Sequence, residues 1–196
     1  MKLITIILAC LSVVALHAQN NKPATNYLGT ASTISFQNKA YQLAWSSHPT
    51  TNYYKQEYLL KGDAVAQFQR MLLLEVVTGV ANAKEAVAAK AAELNALKKN
   101  NPFVQYDVFD NKKTGEYILD FLLTANNPDG SISIVERNVY RYKSFTDKKG
   151  ITGVLLFGVS ERGDGNTADT FLAKLKKEKS SLVNAVAAMV LPVVKM

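Results

Sequence analysis

The stretch FVQYDVFDNKKTGEYILDFLLTANNPDGSISIVERNVYRYKSFTDKKGITGVLLFGVS, residues 103–160, decides the fold. Runs rich in Val, Ile, Leu, Tyr and Phe alternate with DNKKTG, NNPDG and TDKKG. Short connections of Asn, Asp, Lys and Gly join antiparallel strands, because hairpin turns need residues that tolerate positive φ. The expected strands are 104–109, 117–124, 132–145 and 151–160. Upstream, Ile34 and Phe36, then Tyr41, Leu43 and Trp45, alternate around QNK and predict a hairpin near 33–36 and 40–46. His48-Pro49-Thr50-Thr51 fits a type I turn, with Pro at its second position. Tyr53–Leu60 then reads as a strand that Lys61-Gly62-Asp63 breaks, 64–69 as one helical turn, and Met71–Val77 as a buried strand.

Two helices flank the strands around 103–160. Asn82 is a good N-cap and Glu85 completes a capping-box pattern. Val87, Ala91, Leu94 and Leu97 mark one apolar face, and Pro102 confirms the stop after Lys98 and Lys99. After a loop at 163–166, Asn166 or Thr167 caps a second helix with the stripe Phe171, Leu175, Leu182, Val186 and Val190. Ser180-Ser181 marks a bend there, and Pro192 ends the helix. Two helices with apolar stripes need a surface to cover, and an antiparallel sheet supplies it. The fold class is α+β, with one domain over 33–191 and a tail at 192–196.

The first residues, MKLITIILACLSVVALHAQNN, carry Lys2 and then an apolar run of 14 residues, Leu3 to Leu16. That is shorter than the roughly 20 residues of a membrane span and has the pattern of a secretory signal peptide, 1–18, cut after Ala18. Export to the periplasm or beyond follows, with no transmembrane anchor after cleavage. Cys10 lies inside the apolar run, which speaks against a lipidated cysteine. Residues 19–32 are polar and read as a flexible lead. The mature chain then holds no Cys, so packing alone must hold it together. Its formal charge, +7 with the signal, suits either solubility or contact with an anionic partner.

The stretch NYYKQEYLLKGDAVAQFQRMLLLEVV, 52–77, resembles a pattern in small exported bacterial proteins. The later helix, strands and closing helix are similar to the PsbP-like fold, named from an extrinsic lumenal subunit of photosystem II. The order of elements matches over most of 33–191, while the residue-level match is confined to 52–77. The resemblance implies an α/β/α sandwich and an accessory or assembly role. It carries over no catalytic set, and fold does not dictate function.

Reactive residue types are scarce. A Ser-His-acid mechanism would have to use His48, and no G-x-S-x-G elbow occurs. One mature His and no Cys give no metal site and no cofactor is expected. Glu57, Glu75, Asp107, Glu116 and Asp120 are available carboxylates, and spacing alone selects no pair. Asp120, between YIL and FLL, needs a cation, which Arg137 or Arg141 on the next strand can supply. Alternation also puts Arg137, Arg141 and Lys143 on one strand face, and a solvated face explains them better than nucleic-acid binding. The expectation is a non-catalytic exported accessory or binding protein. Its partner, an envelope protein or a small ligand, meets a surface drawn from Trp45, His48, Tyr53, Tyr54, Lys55, Arg137 and Arg141. The alternatives are an envelope-polymer hydrolase using His48 or carboxylates, and a polyanion- or lipid-binding protein using lysines such as those of KLKKEK, 174–179.

Overall fold

The computed structural model describes residues 23–79, 82–147 and 149–195. The expected signal peptide, with Lys2 and Cys10, lies outside the described residues. In chain order the elements are β1 (Thr33–Phe36), β2 (Lys39–Thr50), β3 (Tyr53–Leu59), β4 (Arg70–Thr78), α1 (Ala83–Lys98), β5 (Gln105–Asn111), β6 (Glu116–Asn126), β7 (Ile132–Thr146), β8 (Thr152–Asp164) and α2 (Ala168–Ala188). The strands form one sheet in the order β1-β2-β3-β4-β8-β7-β6-β5, and every pairing is antiparallel. Two four-stranded meanders thus meet at β4 and β8. The α1 segment carries the chain from that seam to the far edge. The protein is an α+β fold, with the hairpin-linked strands of 103–160 forming its second meander.

Each strand alternates its side chains, so the sheet builds two cores. Ile34, Tyr41, Tyr58, Leu74, Val139 and Phe157 lie on one side with Leu182 and Val186 of α2. Leu73, Leu119, Phe121, Tyr140 and Leu156 lie on the other with Val87 and Leu94 of α1. The helices therefore pack on opposite faces. The Asn82 carboxamide oxygen accepts the Glu85 backbone N–H at 2.9 Å and caps α1. Gly158 of β8 is needed for close packing, because a Cβ there would lie 2.8 Å from the Tyr140 ring and 3.2 Å from Leu73 Cβ.

Several expected boundaries move. No turn forms at His48–Thr51: β2 runs through Pro49 to Thr50, and the chain reverses at Thr51-Asn52. Pro49 is tolerated because β1 pairs only with 39–42, so the far end of β2 is a local edge with no outer ladder bond to lose. Residues 64–69 form no helical turn; Ala64 and Gln67 exchange backbone hydrogen bonds at 3.1 and 2.9 Å. The expected loop at 163–166 is the end of β8 followed by a short 3₁₀ turn, Gly165–Thr167. Helix α2 stops at Ala188, before Pro192, and Val190 stands 87% exposed beyond it.

Part of the expected flexible lead is packed, at Leu28 and Thr30, while its other described residues are exposed or half-buried. Leu28 is fully buried, and its N–H donates to Gln56 Oε1 at 2.9 Å. Thr30 Oγ1 lies 2.7 Å from the Tyr58 hydroxyl, which also accepts from Gln56 Nε2 at 2.7 Å. The segment looks like a linker in sequence because its polar groups find their partners inward, on β3. The tail closes over it: the Lys195 N–H donates to the Leu28 carbonyl at 2.8 Å, and Leu191 and Val194 pack on the same core.

Candidate functional site

Helix α1 contacts β5, β6, β7 and β8, and among the described residues no helix packs on the β2–β4 half of that face. The register there aligns Trp45 with Glu57, Glu57 with Leu73, and Lys55 with Glu75. Trp45 is 41% exposed, whereas Glu57 and Glu75 are each 5% exposed. Lys55 Nζ lies 2.9 Å from Glu57 Oε1 and 5.7 Å from the centre of the Trp45 ring. Tyr53 shares the strand face with Lys55 by alternation. From the α1 side comes Lys90, also buried, 3.0 Å from Glu93 Oε1 and 5.6 Å above the Phe121 ring.

Electrostatics make this the most loaded place on the face. Burial pushes the Glu75 carboxyl above its ordinary value. The charge of Lys55, a Tyr53 hydrogen bond and the charge of Lys90 pull it down, while neighbouring Glu57 pushes it further up. Among the described residues Glu57 Oε2 has no hydrogen-bond partner. A buried carboxylate oxygen left in this way costs free energy that a bound donor would recover.

The sheet splits the expected site residues. His48 and Tyr54 lie on the opposite, α2 side of the sheet. Their rings stack at 4.0 Å and 9°, with Tyr27 at 5.5 Å from the imidazole. His48 Nδ1 is 3.0 Å from the Tyr53 carbonyl oxygen, so the imidazole ties the two strands of the hairpin together. Trp45, Tyr53 and Lys55 remain together on the α1 side.

Arg137 and Arg141 are not on an open face, because α2 lies over them. Arg137 Nε and Nη2 donate to the two Asp120 oxygens at 3.0 and 2.9 Å, and Nη2 also reaches the Lys179 carbonyl. Arg137 is 4% exposed. Arg141 Nε donates to Glu116 Oε2 at 2.7 Å, and its Nη1 serves the Val186, Ala187 and Met189 carbonyls at 3.2, 2.9 and 2.8 Å. One arginine meets α2 at its kink, where Glu178 has φ −117 and ψ 20, and the other caps its last carbonyls. The Asp120 partner expected from sequence is Arg137. The carboxylates that sequence reading did not single out are Glu57 and Glu75. A lone acid in the apolar run LLLEVV was the signal for Glu75.

On the α2 side a shallow open depression of about 440 Å³ runs between Phe36, Gln37, Ala185 and Met189. Among the described residues no three His, Cys, Asp or Glu side chains are grouped to hold a metal ion. Among them also, no helix is long and apolar enough to cross a membrane.

Residues 28–191 match the model of a protein family, and the chain belongs to that family. The match starts at Leu28, a fully buried residue, and ends at Leu191, which packs on the α2-side core. No curated protein and no solved structure matches the chain.

Proposed function

We propose that this is a non-catalytic exported accessory or binding protein, of PsbP-like α/β/α sandwich architecture, that meets its partner with the α1-side surface of β2 and β3. The observation that carries the reading is an exposed Trp45 beside two buried acids, on the part of that face α1 leaves uncovered. An aromatic ring rimmed by polar groups is the usual composition of a binding hot spot. His48 supports the reading from the other side: its Nδ1 is spent on a backbone carbonyl and its ring on Tyr54, which fixes the shape of the hairpin.

The test is capture of partners from an envelope extract on immobilised mature protein, wild type against Trp45→Ala. Loss of a captured species in the variant is the expected result. Identical recovery from both proteins removes Trp45 from the function. The polyanion reading is favoured by one observation, the exposure of Lys174, Lys176, Lys177 and Lys179 on α2. Against it, Lys179 is 2.6 Å from Asp107 and Lys174 is 3.8 Å from Glu178.

A further inference from the structure

We infer that the Trp45 surface is a receptor for an alkylammonium group, carried by a small amine or by a partner's lysine, and that Lys55 fills that place when nothing is bound. The inference rests on the binding reading above and names its ligand chemistry.

Three observations carry it. First, the site already holds an ammonium. Lys55 Nζ lies over the Trp45 ring and within 2.9 Å of Glu57. An aromatic face with a carboxylate alongside is the arrangement that selects cations over neutral groups. Second, Glu57 is nine-tenths buried and its Oε2 has no partner among the described residues, so the present cation satisfies only half of the carboxylate. Third, the acids are in excess, so the place calls for a cation, whether Lys55 or another group supplies it. Lys55 pairs with Glu57 and acts with Lys90 on Glu75, and Lys90 pairs with Glu93: three acids against two bases, in a chain whose formal charge is +7. Whichever ammonium sits there favours the ionised carboxyl of Glu75, against the burial that favours its proton.

The occupant is replaceable. Lys55 reaches the site on a flexible four-carbon stem and its side chain keeps 26% of its exposure, so it can swing to solvent. A neutral saccharide is the competing ligand for an exposed Trp. Its hydroxyls can donate to Glu57 Oε2 as an ammonium can, but they bring no positive charge to a place where acids are in excess.

Trp45 is the only tryptophan of the chain, so its emission reports the site directly. The experiment titrates the mature protein with n-butylammonium chloride, with a pentapeptide holding one lysine, and with n-butanol and N-acetylglucosamine as neutral controls, at constant ionic strength. The expected result is a saturable change with the two ammonium compounds and none with the controls. Lys55→Met removes the internal occupant and should tighten the ammonium compounds about tenfold, the usual scale of one desolvated cation–π contact. Glu57→Gln, close to isosteric, should abolish the response while near-ultraviolet circular dichroism stays unchanged. Tighter binding of the peptide than of n-butylammonium assigns the ammonium to a polypeptide, and the reverse assigns it to a small amine. No response to either compound in both wild type and Lys55→Met overturns the inference, as does an equal response to n-butanol or in Glu57→Gln. If capture depends on Trp45 while these titrations fail, the cation class falls and the surface stands. If both fail, the surface falls too.

Discussion

Glu75 shows how one buried group sets a pH dependence. Its folded-state pKa is raised, so between the ordinary value of 4.5 and the raised one the native state holds a proton that the unfolded chain has lost. Stability therefore falls as pH rises through that window and levels off above it. Glu75→Gln should flatten this slope and leave the variant more stable than wild type on the alkaline side. Urea midpoints measured at steps across the window check it, and a parallel slope in the variant rejects the assignment. This residue was half legible: an acid in LLLEVV must be unusual, yet only the cross-strand neighbours Lys55 and Glu57 say what it does.

Helix α2 is fastened by arginines of the strand beneath it. Breaking a buried pair from one side leaves an unpaired charge, so Arg137→Met should cost about 3–5 kcal/mol in chemical denaturation. Adding Asp120→Leu should restore much of that, since the orphaned carboxylate is removed as well. A double variant as weak as the single one would show that the Lys179 carbonyl, not Asp120, is the partner that matters. Arg141→Ala is the milder lesion: it should speed amide hydrogen exchange in the last turn of α2 and leave α1 unchanged, because its Nη1 bonds end at Val186, Ala187 and Met189. Sequence alternation placed both arginines on one strand face correctly. It could not say that α2 would lie over that face, because the helix that covers them is 42 to 48 residues further along the chain. The Pro49 turn was misread for a similar reason. Proline argues against a paired strand, but β1 is too short to reach that end of β2.

For the molecule as a whole, turn chemistry made the second meander readable, and apolar periodicity made the helices readable. The joining of β4 to β8 was not readable, since no local signal marks a pairing between residues about 90 apart, such as Arg70 and Glu161. Nor was the closure of the ends. Residues 26–30, at the end of a mostly polar stretch, look like a linker until Gln56 and Tyr58 are placed beneath them. Leu28→Ala should therefore behave as a core truncation, costing about 2–5 kcal/mol in thermal or urea unfolding. A cost within about 0.5 kcal/mol, the range of ordinary surface changes, would mean that the segment is dispensable.

The clasp between Leu28 and Lys195 also fixes an orientation. Both ends of the folded body leave from the α2 side, while Trp45 opens on the α1 side. A leash attached at either end, whether a lipid, a fused reporter or a bead, holds the body by its back. The Trp45 surface then looks outward, away from the point of attachment.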